Sequence, residues 1–204
     1  MAGKKKIDTL FLDIGGVLLT NGWDRGARKE SVQEFNLDRA EFDDRHHLVF
    51  DIFELGKMTL DDYLQYVVFY RKQHFSADDF KNFMFSRSQI LDGAIDYFKK
   101  LKQQNRWKVV AVSNEPAELN EYRIKKFRLN ELFDCYISSC YVHLRKPDPE
   151  IFRVACDISQ TPRKNILFID DRLVYTEMAA NLGLGSFHYR DLDSAKVYFN
   201  SLHS

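Results

Sequence analysis

Three short apolar runs, each closed by polar residues, constrain what this chain can fold into more than any other feature. Ile7 to Leu12 is apolar except for Asp8-Thr9 and ends at Asp13-Ile14-Gly15-Gly16. Val109-Val110-Ala111-Val112 leads into Ser113-Asn114, and Ile166-Leu167-Phe168-Ile169 into Asp170-Asp171. Each run is short, rich in β-branched or aromatic residues and bounded by polar groups or glycine, which suits a strand buried on both faces. Weaker strand signals lie at Cys135 to Ser138 and at Ser186 to Tyr189. Helical patterns fill the gaps over Leu91 to Gln104, Glu118 to Phe127, Pro149 to Cys156 and Tyr175 to Leu182, the last stopped by Gly183. This alternation predicts an α/β fold, a Rossmann-like parallel sheet covered by helices on both faces.

Residues 21–88 break the rhythm. They show no convincing strand and several helical patterns, among them Leu60 to Val68, which Thr59 and Asp62 open like a capping box. The segment reads as a small helical cap inserted after the first strand. Residues 1–20 and 89–204 then form the core. Phe occurs 17 times, and at helical spacing it signals core or cap interface rather than a binding stripe.

Lys plus Arg and Asp plus Glu balance at 30 each, so the net charge does not call for nucleic acid or a membrane surface. The one basic run, Lys4-Lys5-Lys6, reads as a solvated start rather than a targeting signal. No apolar stretch approaches the roughly 18 residues of a membrane span, and the N-terminus lacks the layout of a secretory signal. Cys135, Cys140 and Cys156 form no C-x-x-C pair and no even set. They read as buried or half-buried thiols of a reducing cytoplasm.

Doubly wound sheets bind ligands beyond the carboxyl ends of their strands. Asp13, Ser113-Asn114 and Asp170-Asp171 all fall there, so a site is expected at that edge. These endings resemble the signature motifs of the haloacid dehalogenase superfamily. Phe11-Leu12-Asp13-Ile14-Gly15-Gly16-Val17-Leu18 resembles the first motif, and Val112-Ser113-Asn114 the second. Arg145-Lys146-Pro147-Asp148-Pro149-Glu150-Ile151-Phe152 is similar to the third. Phe168-Ile169-Asp170-Asp171, followed by Ala179-Ala180-Asn181-Leu182-Gly183, is similar to the fourth. The insertion after the first motif resembles the helical C1-type cap of subfamily I. The wording Asp13-Ile14-Gly15 comes nearest to the sugar-phosphate phosphatase-like group.

The resemblance implies Mg²⁺-dependent hydrolysis of a small phosphorylated metabolite by a monomer or homodimer. Asp13 would be the nucleophile, forming an aspartyl-phosphate that splits one hard step into two. Ser113 and Asn114 would hold the phosphate, and Lys146 would offset the charge of nucleophile and phosphoryl group. Asp13, the Gly15 carbonyl and Asp170 would ligate the metal, with Asp171 acting directly or through a water or Lys146.

Gly15 is the departure. Most phosphatases of the superfamily carry there a second Asp that protonates the leaving group and then activates water, help typically worth about 10² to 10⁴ in rate. Three readings stay open. One is a phosphatase with a good leaving group or a substitute acid, for which Glu115 and Asp24 are candidates. Another is a 2-haloacid dehalogenase-type reaction, with Arg25 or Arg28 offered for the halide; a Schiff-base role for Lys57 is weaker still. The third is a non-catalytic phosphate- or metal-binding protein, to which His143, at a frequent Gly position, and Tyr175, at a frequent Asn position, lend some weight. His46-His47 reads as cap packing or solvated surface, since adjacent helical residues point apart.

Overall fold

The computed structural model describes residues 6–203; Lys4 and Lys5 of the basic run lie outside them, and Lys6 is exposed beside Asp8 at 3.1 Å. Five parallel strands form one sheet in the order β3-β2-β1-β4-β5. They are β1 (Thr9–Leu12), β2 (Lys108–Ser113), β3 (Cys135–Ser138), β4 (Ile166–Asp170) and β5 (Gly185–His188). All five strand signals in the sequence are therefore strands. The order reverses at β1, which has β2 and β3 on one side and β4 and β5 on the other. That reversal is the crevice-forming point of a doubly wound sheet.

Period-two alternation sorts the central strands between two cores. Leu10, Leu12, Val109, Ala111, Leu167 and Ile169 share one apolar cluster with α5 (Ala94–Asn105) and α10 (Leu192–His203). Phe11, Val110, Val112 and Phe168 share the other with α8 (Pro149–Ser159) and α9 (Leu173–Asn181). Burial on both faces explains why these strands read as continuous apolar runs. Two helices lie near the sheet's carboxyl edge: α6 (Ala117–Lys126) after β2 and the short α7 (Ser139–Val142) after β3.

Between β1 and α5 run α1 (Arg25–Glu34), α2 (Arg39–Glu54), α3 (Leu60–Val67) and α4 (Ala77–Ser86). The chain leaves and re-enters the sheet region side by side, Thr20 N–H donating to Gln89 C=O at 2.9 Å. A third apolar cluster holds these helices together; Trp23, Phe35, Phe42, Phe53, Tyr63 and Phe80 are buried in it, and Leu119 of α6 joins it. The abundant Phe thus supplies a core that four short helices could not otherwise build. Thr59 caps α3 by accepting from Asp62 N–H at 3.1 Å. The reciprocal capping box occurs instead at Ser76 and Asp79, at the start of α4. His46 is buried and bonded to Tyr63 Oη at 2.8 Å, while His47 beside it is exposed. The three cysteines are free, Cys140 and Cys156 buried and Cys135 half-buried. No helix among the described residues is long and apolar enough to cross a membrane.

Candidate active site

Register brings the strand ends together. Leu12 pairs with Ala111 on one side and Ile169 on the other, and Asp13 N–H donates to Ile169 C=O at 3.0 Å. Asp13 thus leaves the central strand next to Asp170, with Ser113 at the end of the strand on its other side. Asp13, Ser113, Lys146 and Asp170 are all buried. Lys146 Nζ lies 2.5 Å from Asp170 Oδ2 and 3.2 Å from Asp13 Oδ1. Burial works against its charge, but the two carboxylates outweigh burial and push the ammonium above the ordinary lysine range. Burial also raises Asp170, against the pull of Lys146.

Asp13, Asp170 and Asp171 each offer a carboxylate oxygen within 4.8 Å of the others. Asp171 Oδ2 accepts from Asn21 Nδ2 at 3.2 Å, while its buried Oδ1 has no hydrogen-bond partner among the described residues. Three converging hard oxygen donors, one of them otherwise unsatisfied, fit a divalent cation such as Mg²⁺. Gly16 makes this approach possible. It sits at φ +69°, and a Cβ there would lie 2.1 Å from Asp171 Oδ2.

Above the carboxylates lies a cavity of about 350 Å³. Asp13, Gly15, Ser113, Asn114 and Lys146 line it from the sheet side, and Trp23, Asp24, Arg25, Arg28, Phe50 and Glu54 from the helical segment. The two sides are joined by charge. Arg145, next to Lys146 in sequence, pairs with Asp51 and with Glu54, its Nε 2.7 Å from Glu54 Oε2. Burial pushes the Glu54 carboxyl up to about 7, against the pull of Arg145. His143 Nδ1 contacts Leu55 C=O at 2.7 Å in the same junction.

A model of the family described as haloacid dehalogenase-like hydrolase matches residues 7–183. The chain belongs to the haloacid dehalogenase-like hydrolases. Among curated proteins, drimenol cyclase of Aspergillus calidoustus is 28% identical over 192 residues, 91% of this chain and 35% of that protein. Flavin mononucleotide hydrolase 1 of Arabidopsis thaliana is 26% identical over 150 residues, 74% of this chain and 60% of that one. The chain therefore spans less than two thirds of either. Among solved structures, a haloacid dehalogenase-family enzyme of Bacteroides thetaiotaomicron superposes with a TM-score of 0.80 at 23% identity, covering 92% of this chain and 96% of that one. This likeness bears on the fold; that enzyme has also been solved with magnesium and with magnesium plus inorganic phosphate.

The departures from the family motifs have local explanations. At Gly15, a Cβ would lie 2.8 Å from Asn21 Oδ1 and 3.8 Å from a terminal nitrogen of Arg123. What such a Cβ meets first is the Asn21 amide; Arg123 stands beyond it in ordinary contact, its Nη1 donating to Glu115 Oε1 in a buried ion pair. Arg123 also donates from Nε to Ser88 Oγ at 3.0 Å and from Nη2 to Thr20 C=O at 3.1 Å. His143 adopts φ +56°, which accounts for the frequent Gly at its position. The Tyr175 ring faces the Lys146 ammonium, 5.1 Å from ring centroid to Nζ.

Of the residues singled out in the sequence, Asn114 is engaged with the main chain of Lys146, and Ser113 Oγ reaches Glu115 Oε1 at 3.4 Å. Asp24 accepts from Ala27 N–H at 2.8 Å as the N-cap of α1. Lys57 is exposed and does not line the cavity. Sequence reasoning missed Arg123 and the Arg145–Glu54 junction. Arg123 carried no signal, because nothing in a helical pattern marks which arginine turns inward. Arg145 stood inside the third motif, but its partners come from a helix about ninety residues away in sequence, beyond any local pattern.

Proposed function

We propose that this chain is a Mg²⁺-dependent phosphatase that cleaves a small phosphorylated metabolite through Asp13. The observation that carries the reading is the buried Lys146 ammonium held between Asp13 and Asp170, beside the carboxylate triad and under a cavity of metabolite size. An Asp13 oxygen attacks phosphorus while the bond to the leaving oxygen breaks, giving an aspartyl-phosphate. Water then cleaves that intermediate, releasing phosphate and restoring the Asp13 carboxylate. Lys146 and the Ser113 hydroxyl hold the phosphoryl oxygens, and Asn114 positions Lys146. Asp13, Asp170, Asp171 and the Gly15 carbonyl would hold Mg²⁺, which neutralises phosphoryl charge when bound. With no acid on residue 15, esters with good leaving groups react best.

The four helices α1–α4 act in this reading as the cap of subfamily I, supported by the side-by-side crossing at Thr20 and Gln89. Three free thiols support a cytoplasmic setting. The test is phosphate release from p-nitrophenyl phosphate with and without Mg²⁺, in the natural chain and in Asp13→Asn. The reading expects Mg²⁺-dependent release that Asp13→Asn abolishes. No release with Mg²⁺ would point to the non-catalytic binding protein, and chloride release from 2-chloropropionate to a dehalogenase.

A further inference from the structure

The cations around the cavity are not alike. Lys146 is matched by Asp13 and Asp170, Arg123 by Glu115, and Arg145 by Asp51 and Glu54. Arg28, on the second turn of α1, is half-buried and forms no ion pair among the described residues. Its Nη1 donates to Trp23 C=O at 2.9 Å, and its guanidinium carbon lies 5.7 Å from the centroid of Phe50. A carbonyl and an aromatic face fix the fork in place without neutralising it.

Asp24, Asp43 and Glu54 lie within electrostatic range of Arg28, yet none pairs with it. Asp24 Oδ1 is occupied as the helix cap, and Glu54 is drawn to Arg145. Burial lowers the pKa of Arg28, and neighbouring His46, whose burial pushes it down to about 3, is neutral and offers no charge. A partly desolvated guanidinium without an anion is costly unless an anion arrives to meet it. Arg25 and Arg172 add two exposed cations to the lining.

We infer that the substrate carries a second anionic group, a carboxylate or a further phosphate, which Arg28 binds while the reacting phosphoryl group sits at Asp13. This rests on the phosphatase reading for what happens at Asp13, but not for what Arg28 binds. The cavity of about 350 Å³ suits a substrate the size of a small acid phosphate or a sugar bisphosphate.

Matched pairs test it: 3-phosphoglycerate against glycerol 3-phosphate, and fructose 1,6-bisphosphate against fructose 6-phosphate. The dianionic-plus-anionic member of at least one pair should be preferred by about 10- to 100-fold, mainly through KM. The pair that shows the preference tells carboxylate from second phosphate. Arg28→Gln should bring the ratio towards one, and Arg28→Lys, which keeps the charge, should retain part of it. Thermal unfolding of both variants shows whether they fold. Calorimetric binding of the same four compounds to Asp13→Asn repeats the comparison without turnover. If no ester is cleaved but the binding ratio holds and collapses in Arg28→Gln, the phosphatase reading falls and this one stands. Ratios near one in both pairs would overturn it, as would an equal loss for both members in Arg28→Gln, which would place Arg28 on the reacting phosphoryl group or in the fold alone.

Discussion

Asn114 closes both ends of its carboxamide on the main chain of Lys146: Oδ1 accepts the Lys146 N–H at 2.8 Å, and Nδ2 donates to the Lys146 C=O at 2.8 Å. A residue that resemblance assigns to phosphate is thus spent on holding the cation that lies between Asp13 and Asp170. Asn114→Ala leaves both main-chain groups without partners, a cost of about 1–3 kcal/mol in stability. It should also lower kcat by roughly tenfold or more through misplacement of Lys146. Asn114→Asp keeps the acceptor and should recover part of kcat. Denaturant unfolding and steady-state kinetics on the three chains read both effects; an equal kcat in Asn114→Ala would show that Lys146 needs no such support.

Gly15→Asp tests what the missing carboxylate is worth here. The new Cβ displaces the Asn21 side chain, which loses its bond to Asp171, and brings a carboxylate beside Arg123. The chain should fold, because a surface amide gives way rather than backbone. Turnover of alkyl phosphates should rise by roughly 10²-fold, with little change for p-nitrophenyl phosphate, whose leaving group needs no proton. A parallel rise for both would mean that the substitution acts by some route other than proton transfer.

The Glu115–Arg123 pair is almost wholly buried, so removing one partner strands the other charge. Arg123→Met alone should cost about 3–5 kcal/mol. Burial already raises the Glu115 carboxyl against the pull of Arg123, and without Arg123 it should rise further. Glu115→Leu combined with Arg123→Met should cost much less than the two single changes added. A double-mutant cycle by urea unfolding measures this directly.

Glu54 makes stability depend on pH. Its carboxyl stands at about 7 in the fold, raised by burial above an ordinary value of 4.5. Between those values the folded chain binds more protons than the unfolded one, so stability falls as pH rises through that window. The contribution present below the unfolded pKa, roughly 3 kcal/mol, is lost by the time pH passes the folded pKa. Glu54→Gln should flatten this part of the profile between pH 5 and 8. Urea midpoints across that range, for the natural chain and the variant, provide the check.

The sheet was legible because burial on both faces writes a continuous apolar run into each central strand, and even the weaker runs at β3 and β5 marked real strands. The helical segment was legible as helices, and its individual ends less so. The reciprocal capping box is at Ser76, where the sequence drew attention to Thr59. At the site, Asp13, Ser113, Lys146, Asp170 and Asp171 could be named because each stands at a strand end or in a motif of fixed wording.

What the sequence determined by itself is therefore the alternation of buried strands and helices, and the polar endings that parallel register must bring to one edge. Register follows from the chain's own periodicity, so residues at strand ends converge without further information. The tertiary structure alone decided how the helical segment meets that edge. Arg145 reaches back to Glu54, Arg123 turns inward to Glu115, and Arg28 faces the cavity with no ion-pair partner among the described residues. These pairings join segments far apart in sequence, and they depend on which rotamers close packing leaves open. Such choices leave no periodic trace for the sequence to show.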